Sequence, residues 1–149
     1  MPPKFSLQPV LDFRHQHVEA LEIELASLLA AQQKGIIFLE RLFSYQTHLF
    51  DELHNQQDGD LNLITINHLR LNLKTVEGRI RQQQVFLVEL AQQVESKRVE
   101  VVNAKQDEET LNTLKNKEIE RFQAEQVRQE NRLQDDIYIA QAHRRAASH

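Results

Sequence analysis

The chain has 149 residues, no Cys, no Trp, a net charge of −4, and only three Gly and three Pro. Sheet-containing folds need turn residues roughly every 8–12 positions, so this composition excludes them and predicts very few, very long helices. The absence of Cys excludes disulfides and thiolate metal sites, and the acidic balance argues against a nucleic-acid binder. No apolar run approaches the roughly 18 residues of a membrane-spanning helix, so we expect no membrane insertion.

The first predicted helix covers about residues 6–56. Ser6 is its predicted N-cap, and Pro9 falls in the first turn, where its missing N–H is tolerated. Apolar residues then recur in strict steps of three and four, a spacing that predicts the seam of a left-handed coiled coil. The predicted core positions are Leu7, Leu11, Arg14, Val18, Leu21, Leu25, Leu28, Gln32, Gly35, Leu39, Leu42, Gln46, Leu49 and Leu53.

A second row widens the apolar stripe in the later half of this helix. It consists of Leu29, Ile36, Phe43 and Phe50, which are spaced seven residues apart. The row either adds to the seam or offers surface to a second partner. Tyr45 lies just outside the main row. It either packs at the edge of the seam or belongs to a surface that contacts a partner.

A single turn is predicted at about residues 57–64, around Gly59, which stands among short acidic residues. Thr65 is the predicted cap of a second helix that covers about residues 65–145. Its core positions are Ile66, Leu69, Leu73, Val76, Ile80, Gln83, Leu87, Leu90, Val94, Lys97, Val101 and Ala104. Beyond Ala104 the regular heptad fades, and 15 of the 34 residues from 103 to 136 are charged.

Two helices joined by one short turn lie antiparallel, so residues 1–149 are expected to form a single domain. The predicted fold is an all-α, long two-helix antiparallel coiled-coil hairpin, in which position i faces roughly position 120 − i. Charge favours this pairing over self-pairing of the first helix. Residues 7–56 carry three basic and seven acidic side chains, whereas residues 64–149 carry fourteen and thirteen.

Several seam positions are polar. They are Gln32, Gln46, Gln83 and Lys97, and Gly35 leaves a gap among the apolar side chains. One interpretation is that buried polar residues select a single register at a cost in stability. The other is that they soften the hairpin so that it can bend or rotate within a partner.

No catalytic constellation is apparent in the sequence. The adjacent carboxylates at 107–109 and 135–136 point about 100° apart on a helix, so they do not converge and are interpreted as solvated. The seven His residues lack the i, i+4 spacing that holds a metal ion. We therefore predict no enzyme activity, no cofactor and no metal.

Each end of the chain contains a recognisable stretch. The first is Phe5-Ser6-Leu7-Gln8-Pro9-Val10-Leu11-Asp12-Phe13-Arg14. The second includes Leu111-Asn112-Thr113-Leu114-Lys115, Phe122, Glu130, Asp135-Asp136 and Arg144-Arg145. Both stretches resemble those of the FliJ family of flagellar type III export proteins. Length, the two-helix organisation and the turn position are similar too, so the resemblance covers essentially the whole chain.

This resemblance implies a non-enzymatic stalk of the export apparatus, acting as a monomer. The terminal end would insert into the hexameric flagellar export ATPase and activate it. The region near the turn would contact the cytoplasmic domain of the export gate, and export chaperones are further implied partners. The implied ATPase-ring residues are Phe5, Leu7, Val10, Leu11, Arg14, Asp135, Asp136 and Arg144. The implied gate residues are Leu42, Tyr45, Leu49 and Val76.

Two alternatives remain at this point. The chain could be a homo-oligomeric coiled-coil scaffold, or the equivalent stalk of a virulence-type secretion system. The resemblance places the protein in the cytoplasm, peripherally associated with the inner face of the cell membrane at the flagellar base.

Overall fold

The computed structural model describes residues 4–58 and 62–148. Two helices occupy almost all of this part, α1 (Gln8–Asp58) and α2 (Leu63–Ala147), and no strand occurs within it. The helices pack against each other along their apolar stripes. The predicted all-α helical hairpin is therefore confirmed.

The start of α1 lies two residues later than predicted. Gln8 donates its backbone N–H to the carbonyl of Phe5 at 3.0 Å, and Pro9 occupies the first turn of the helix. The helix continues to Asp58 rather than ending near residue 56. The predicted reversal at Gly59 lies outside the described residues.

The start of α2 is fixed by Asn62 and not by Thr65. The backbone N–H of Thr65 donates to Asn62 Oδ1 at 3.3 Å, so Asn62 is the N-cap and Thr65 lies inside the first turn. The predicted cap at Thr65 is wrong. Asn is as good a cap as Thr, and here it lies three residues earlier.

Residues 19–102 form one compact unit, in which the predicted seam is confirmed. Its buried cluster near the turn consists of Leu42, Leu49, Leu69, Leu73, Val76 and Ile80. Further along the seam Leu21, Leu90, Val94 and Val101 are also buried. Glu24 contacts Lys97 and Gly35 contacts Gln83, so the two chain directions are antiparallel and paired numbers sum to about 120, as predicted.

The described residues up to 18 and from 103 onward form the second compact unit. Its buried apolar side chains are Phe5, Leu11, Val18 and Ala104. Leu7, a predicted core position, is 38% exposed. It precedes the first helical residue, so its backbone does not yet follow the helical phase that directs the later core positions inward.

Candidate functional site

Five of the eight residues expected to contact an ATPase ring lie in the first turns of α1 or just before them. Phe5 and Leu11 are buried, whereas Leu7 and Val10 are exposed. Arg14 is half-buried. A partner at this end would therefore contact the exposed pair directly, while the buried pair holds α1 against α2.

Charged pairs connect the two helices in the terminal unit. The guanidinium of Arg14 lies 3.5 Å from the carboxylate of Asp107, and His15 Nδ1 lies 2.8 Å from Glu108 Oε1. Only 19% of the Glu108 side chain is exposed. The sequence pattern predicted that the carboxylates at 107 and 108 are solvated. The structure instead pairs each of them with a side chain of α1.

Glu108 occupies a core position that hydrophobicity alone does not reveal. It lies seven residues after the buried Val101, and Lys115, half-buried, lies another seven residues on. The heptad thus continues past Ala104 with charged side chains in the seam. The steps of three and four in the sequence carry this signal, but only when polar residues are allowed at core positions.

A cleft with side chains of both charges lies beside the first turn of α1. Its apolar lining includes Phe5, Pro9 and Ile119, and its charged lining comprises Lys4, Asp12, Lys115 and Glu118. The opposite charges balance, so this cleft has no preference for a strongly acidic or strongly basic partner.

The other three candidate ATPase-ring residues lie further along α2. Asp135, Asp136 and Arg144 are exposed, and they lie 16 or more positions beyond Ile119, the last α2 residue in the cleft beside α1. At 1.5 Å per residue this separation is roughly 24 Å or more. The structure therefore does not bring the two sets of predicted residues together.

The four predicted gate residues have two different environments. Leu42, Leu49 and Val76 belong to the buried cluster near the turn, and Val76 is only 2% exposed. Tyr45 is exposed. A partner that binds without separating the helices would contact Tyr45, while the other three support the backbone beneath it.

Lys97 is tied to both helices at a polar position of the seam. Its Nζ donates to Glu24 Oε2 of α1 at 2.7 Å and to Glu100 Oε2 of α2 at 3.0 Å. The hydrogen bond to Glu24, and then the one to Glu100, raise the pKa of Lys97 above the usual 10.5. The ammonium group is thus stabilised in its charged form between the helices.

The gap at Gly35 is filled by the side chains opposite. Gln83 Nε2 donates to the backbone carbonyl of Gly35 at 3.1 Å, and a Cβ at this glycine would lie 2.7 Å from Leu87 Cδ2. This paired arrangement supports the interpretation that the polar seam residues select one register. Its geometry requires these two residues to face each other.

Within residues 4–58 and 62–148, no group of three or more His, Asp or Glu side chains is arranged to hold a metal ion. Neither α1 nor α2, over the same residues, contains a stretch long and apolar enough to cross a membrane.

Comparison with known proteins gave one finding. A family model described as "Flagellar FliJ protein" matches residues 3–147, which is nearly the whole chain. Neither the search of curated proteins nor that of solved structures gave a match.

Proposed function

We propose that this chain, which belongs to the flagellar FliJ protein family, is a stalk that binds and activates the export ATPase ring. Membership makes it a flagellar export-associated protein of a non-catalytic family. The finer role, contact with the ATPase ring and with the export gate, is the proposal.

The observation that carries the proposal is the exposed end of α2. Every residue from 123 to 147 is exposed. This stretch nevertheless carries large apolar side chains, namely Val127, Leu133, Ile137, Tyr138 and Ile139. A lone amphipathic stretch of this length gains little stability by itself, so its apolar residues point to a binding partner.

The charged seam of the terminal unit supports the same role. Pairs such as Arg14–Asp107 link the two helices there by charged contacts. A helix pair held partly by such contacts suits insertion into a ring whose pore is polar, because the charged groups need not be stripped of all polar partners there.

The test uses the purified full chain and its cognate ATPase. We expect the chain to accelerate ATP hydrolysis and to favour hexamers over monomers. Leu133→Ser with Ile137→Ser should reduce this effect without loss of fold, because both side chains are exposed.

A matched pair of exposed apolar residues in the other unit provides the control. Leu71→Ser with Val85→Ser should leave the stimulation unchanged. Absence of any stimulation at saturating stalk would contradict the proposal.

The proposed gate contact is carried by Tyr45. Tyr45→Ala should weaken binding of the cytoplasmic domain of the export gate while lowering the unfolding midpoint only slightly, because Tyr45 is 47% exposed and lies outside the buried cluster. Tyr138→Ala, which removes an exposed tyrosine from the other unit, is the control. Equal weakening by both variants would remove the assignment to this region.

The homo-oligomeric scaffold rests on the second apolar row of α1. Ile36, Phe43 and Phe50 are 38%, 42% and 49% exposed. A large side chain presents roughly 200 Å² in total, so these three leave about 250 Å² per chain. A stable interface buries about 1,200–2,000 Å² over both partners. The row alone is too small, and we therefore propose a monomer, which sedimentation equilibrium at micromolar concentration tests.

Family membership favours the flagellar system over a virulence-type system, because the matching family is a flagellar one. Binding of export chaperones and a position at the inner face of the cell membrane belong to the same proposal. Co-purification of the chain with its partners from cells tests these points together.

A further inference from the structure

The outer face of α2 near the turn carries an apolar row that none of the described residues covers. Ile64, Leu71, Gly78 and Val85 are spaced seven residues apart, so they lie on one side of the helix. The three large side chains are 74%, 62% and 58% exposed. The seam side of the same turns is buried through Ile66, Leu69, Leu73, Val76 and Ile80, so the row points away from α1.

Basic side chains accompany this row. Residues 70–81 contain four basic side chains and one acidic one, a net charge of +3 in a chain whose net charge is −4. The basic residues are Arg70, Lys74, Arg79 and Arg81. Within the described residues none of the four forms an ion pair with a carboxylate, whereas Arg14, Lys97 and Arg128 do.

The cations are arranged mainly along one flank of the row. At 100° per residue, Arg70, Lys74 and Arg81 lie about 60–100° to one side of Leu71, and Arg79 lies about 80° to the other. We refer to Ile64, Leu71, Val85 and these four cations as the outer basic face. It combines a narrow apolar row with uncompensated positive charge.

Gly78 lies in the middle of the row and leaves a gap there, because it has no side chain. A Cβ at this position would meet nothing within 4 Å, so no contact inside the chain requires a glycine there. Glycine weakens an exposed helix relative to alanine. A glycine in this place allows the backbone of another helix to approach closely.

We propose that the outer basic face docks an acidic amphipathic helix of a partner protein. A seven-residue apolar row matches the heptad of a partner helix, and the basic flank matches acidic side chains beside that heptad. A lipid surface fits less well, because polar Asn67, Thr75 and Gln82 interrupt the row on its exposed side. This inference goes beyond the proposed function, since the face contains none of the expected ATPase-ring or gate residues.

The experiment uses a designed helical peptide of about 21 residues, three heptads, with Leu in the apolar positions and Glu beside them. Its binding to the full chain is followed by fluorescence anisotropy. We expect saturable binding that weakens between about 50 and about 300 mM salt, because the attraction is screened. A peptide with Lys in place of Glu should bind at least about tenfold more weakly.

Charge-reversal variants localise the binding. Lys74→Glu with Arg81→Glu should weaken binding of the Glu peptide by about tenfold or more. Leu71→Gln with Val85→Gln should weaken its binding as well. The matched control is Lys34→Glu with Arg41→Glu, which reverses two exposed cations with the same spacing on α1. The control should change binding by less than about twofold.

Three results would overturn the inference. They are equal binding of the Glu and Lys peptides, equal weakening by the two charge-reversal pairs, and binding to anionic phosphatidylglycerol vesicles without binding to the Glu peptide. The last result would identify the face as a lipid-binding surface. Stimulation of the export ATPase by the Lys74→Glu, Arg81→Glu chain should be unchanged, so failure here and failure of the proposed function are distinguishable.

Discussion

The two helical glycines differ in what surrounds them, and the difference predicts opposite effects of alanine. At Gly78 a Cβ meets open space, so Gly78→Ala should raise the free energy of unfolding by about 0.5–1 kcal/mol through helix propensity. At Gly35 the same gain is opposed by overpacking against Leu87 and Gln83, which costs about 1–3 kcal/mol. Urea unfolding of both variants measures the difference. An equal increase in the free energy of unfolding for both variants would show that the seam accommodates a Cβ at position 35 without overpacking.

The Lys97 network predicts an alkaline loss of stability. Because hydrogen bonds to Glu24 and Glu100 raise the pKa of Lys97 in the folded chain above 10.5, the folded state binds its proton more tightly than the unfolded state. The resulting stabilisation is complete below the unfolded pKa and is lost as pH rises through the folded one. Lys97→Met should therefore lose less stability than the wild type between pH 9 and pH 12, roughly the range around a lysine pKa.

Lys74→Met is the control for this pH dependence, since Lys74 is exposed and forms no ion pair among the described residues. It should follow the wild-type pH curve. Identical curves for wild type, Lys97→Met and Lys74→Met would show that the hydrogen bonds to Glu24 and Glu100 do not contribute to stability.

At the scale of the helices, the cap at Asn62 determines where α2 begins. Asn62→Ala should lower the free energy of unfolding by about 1 kcal/mol, because the N–H of Thr65 loses its acceptor at the helix terminus. Thr65→Ala keeps that acceptor and should have a smaller effect. Thermal unfolding followed by circular dichroism compares the two, and a larger loss for Thr65→Ala would contradict the assignment of the cap.

The seam of residues 19–102 could be predicted because its core follows from spacing. Val76 and Leu49 lie in strict steps of three and four, and both are buried. Glu108 could not be found in the same way, because a charge at a core position removes the apolar signal while the geometry continues. The separation between Arg14 and Asp136 does follow from the predicted pairing, which sets Arg14 opposite about residue 106 and leaves Asp136 about thirty residues further along α2. The family resemblance alone assigns both residues to one partner without giving the distance between them.

At the scale of the whole chain, burial is distributed unevenly between its two units. Residues 19–102 have a seam of buried leucine, isoleucine and valine side chains. The terminal unit has charged pairs between its helices and a stretch of α2, residues 123–147, in which every residue is exposed. The chain thus combines one hairpin segment with a continuous apolar seam and one helical end that gains little stability from burial within the chain.

This uneven burial predicts the pattern of amide hydrogen exchange. In the free chain, amides of residues 123–147 should exchange at least about 100-fold faster than those of residues 69–80, because local opening there exposes no buried apolar surface. Adding the export ATPase should slow exchange in 123–147 and leave 69–80 unchanged. The Leu133→Ser, Ile137→Ser chain should show the fast exchange but little of this protection. Slow exchange of 123–147 in the free chain would mean that the exposed end of α2 is stable alone, and its apolar side chains would then no longer argue for a partner.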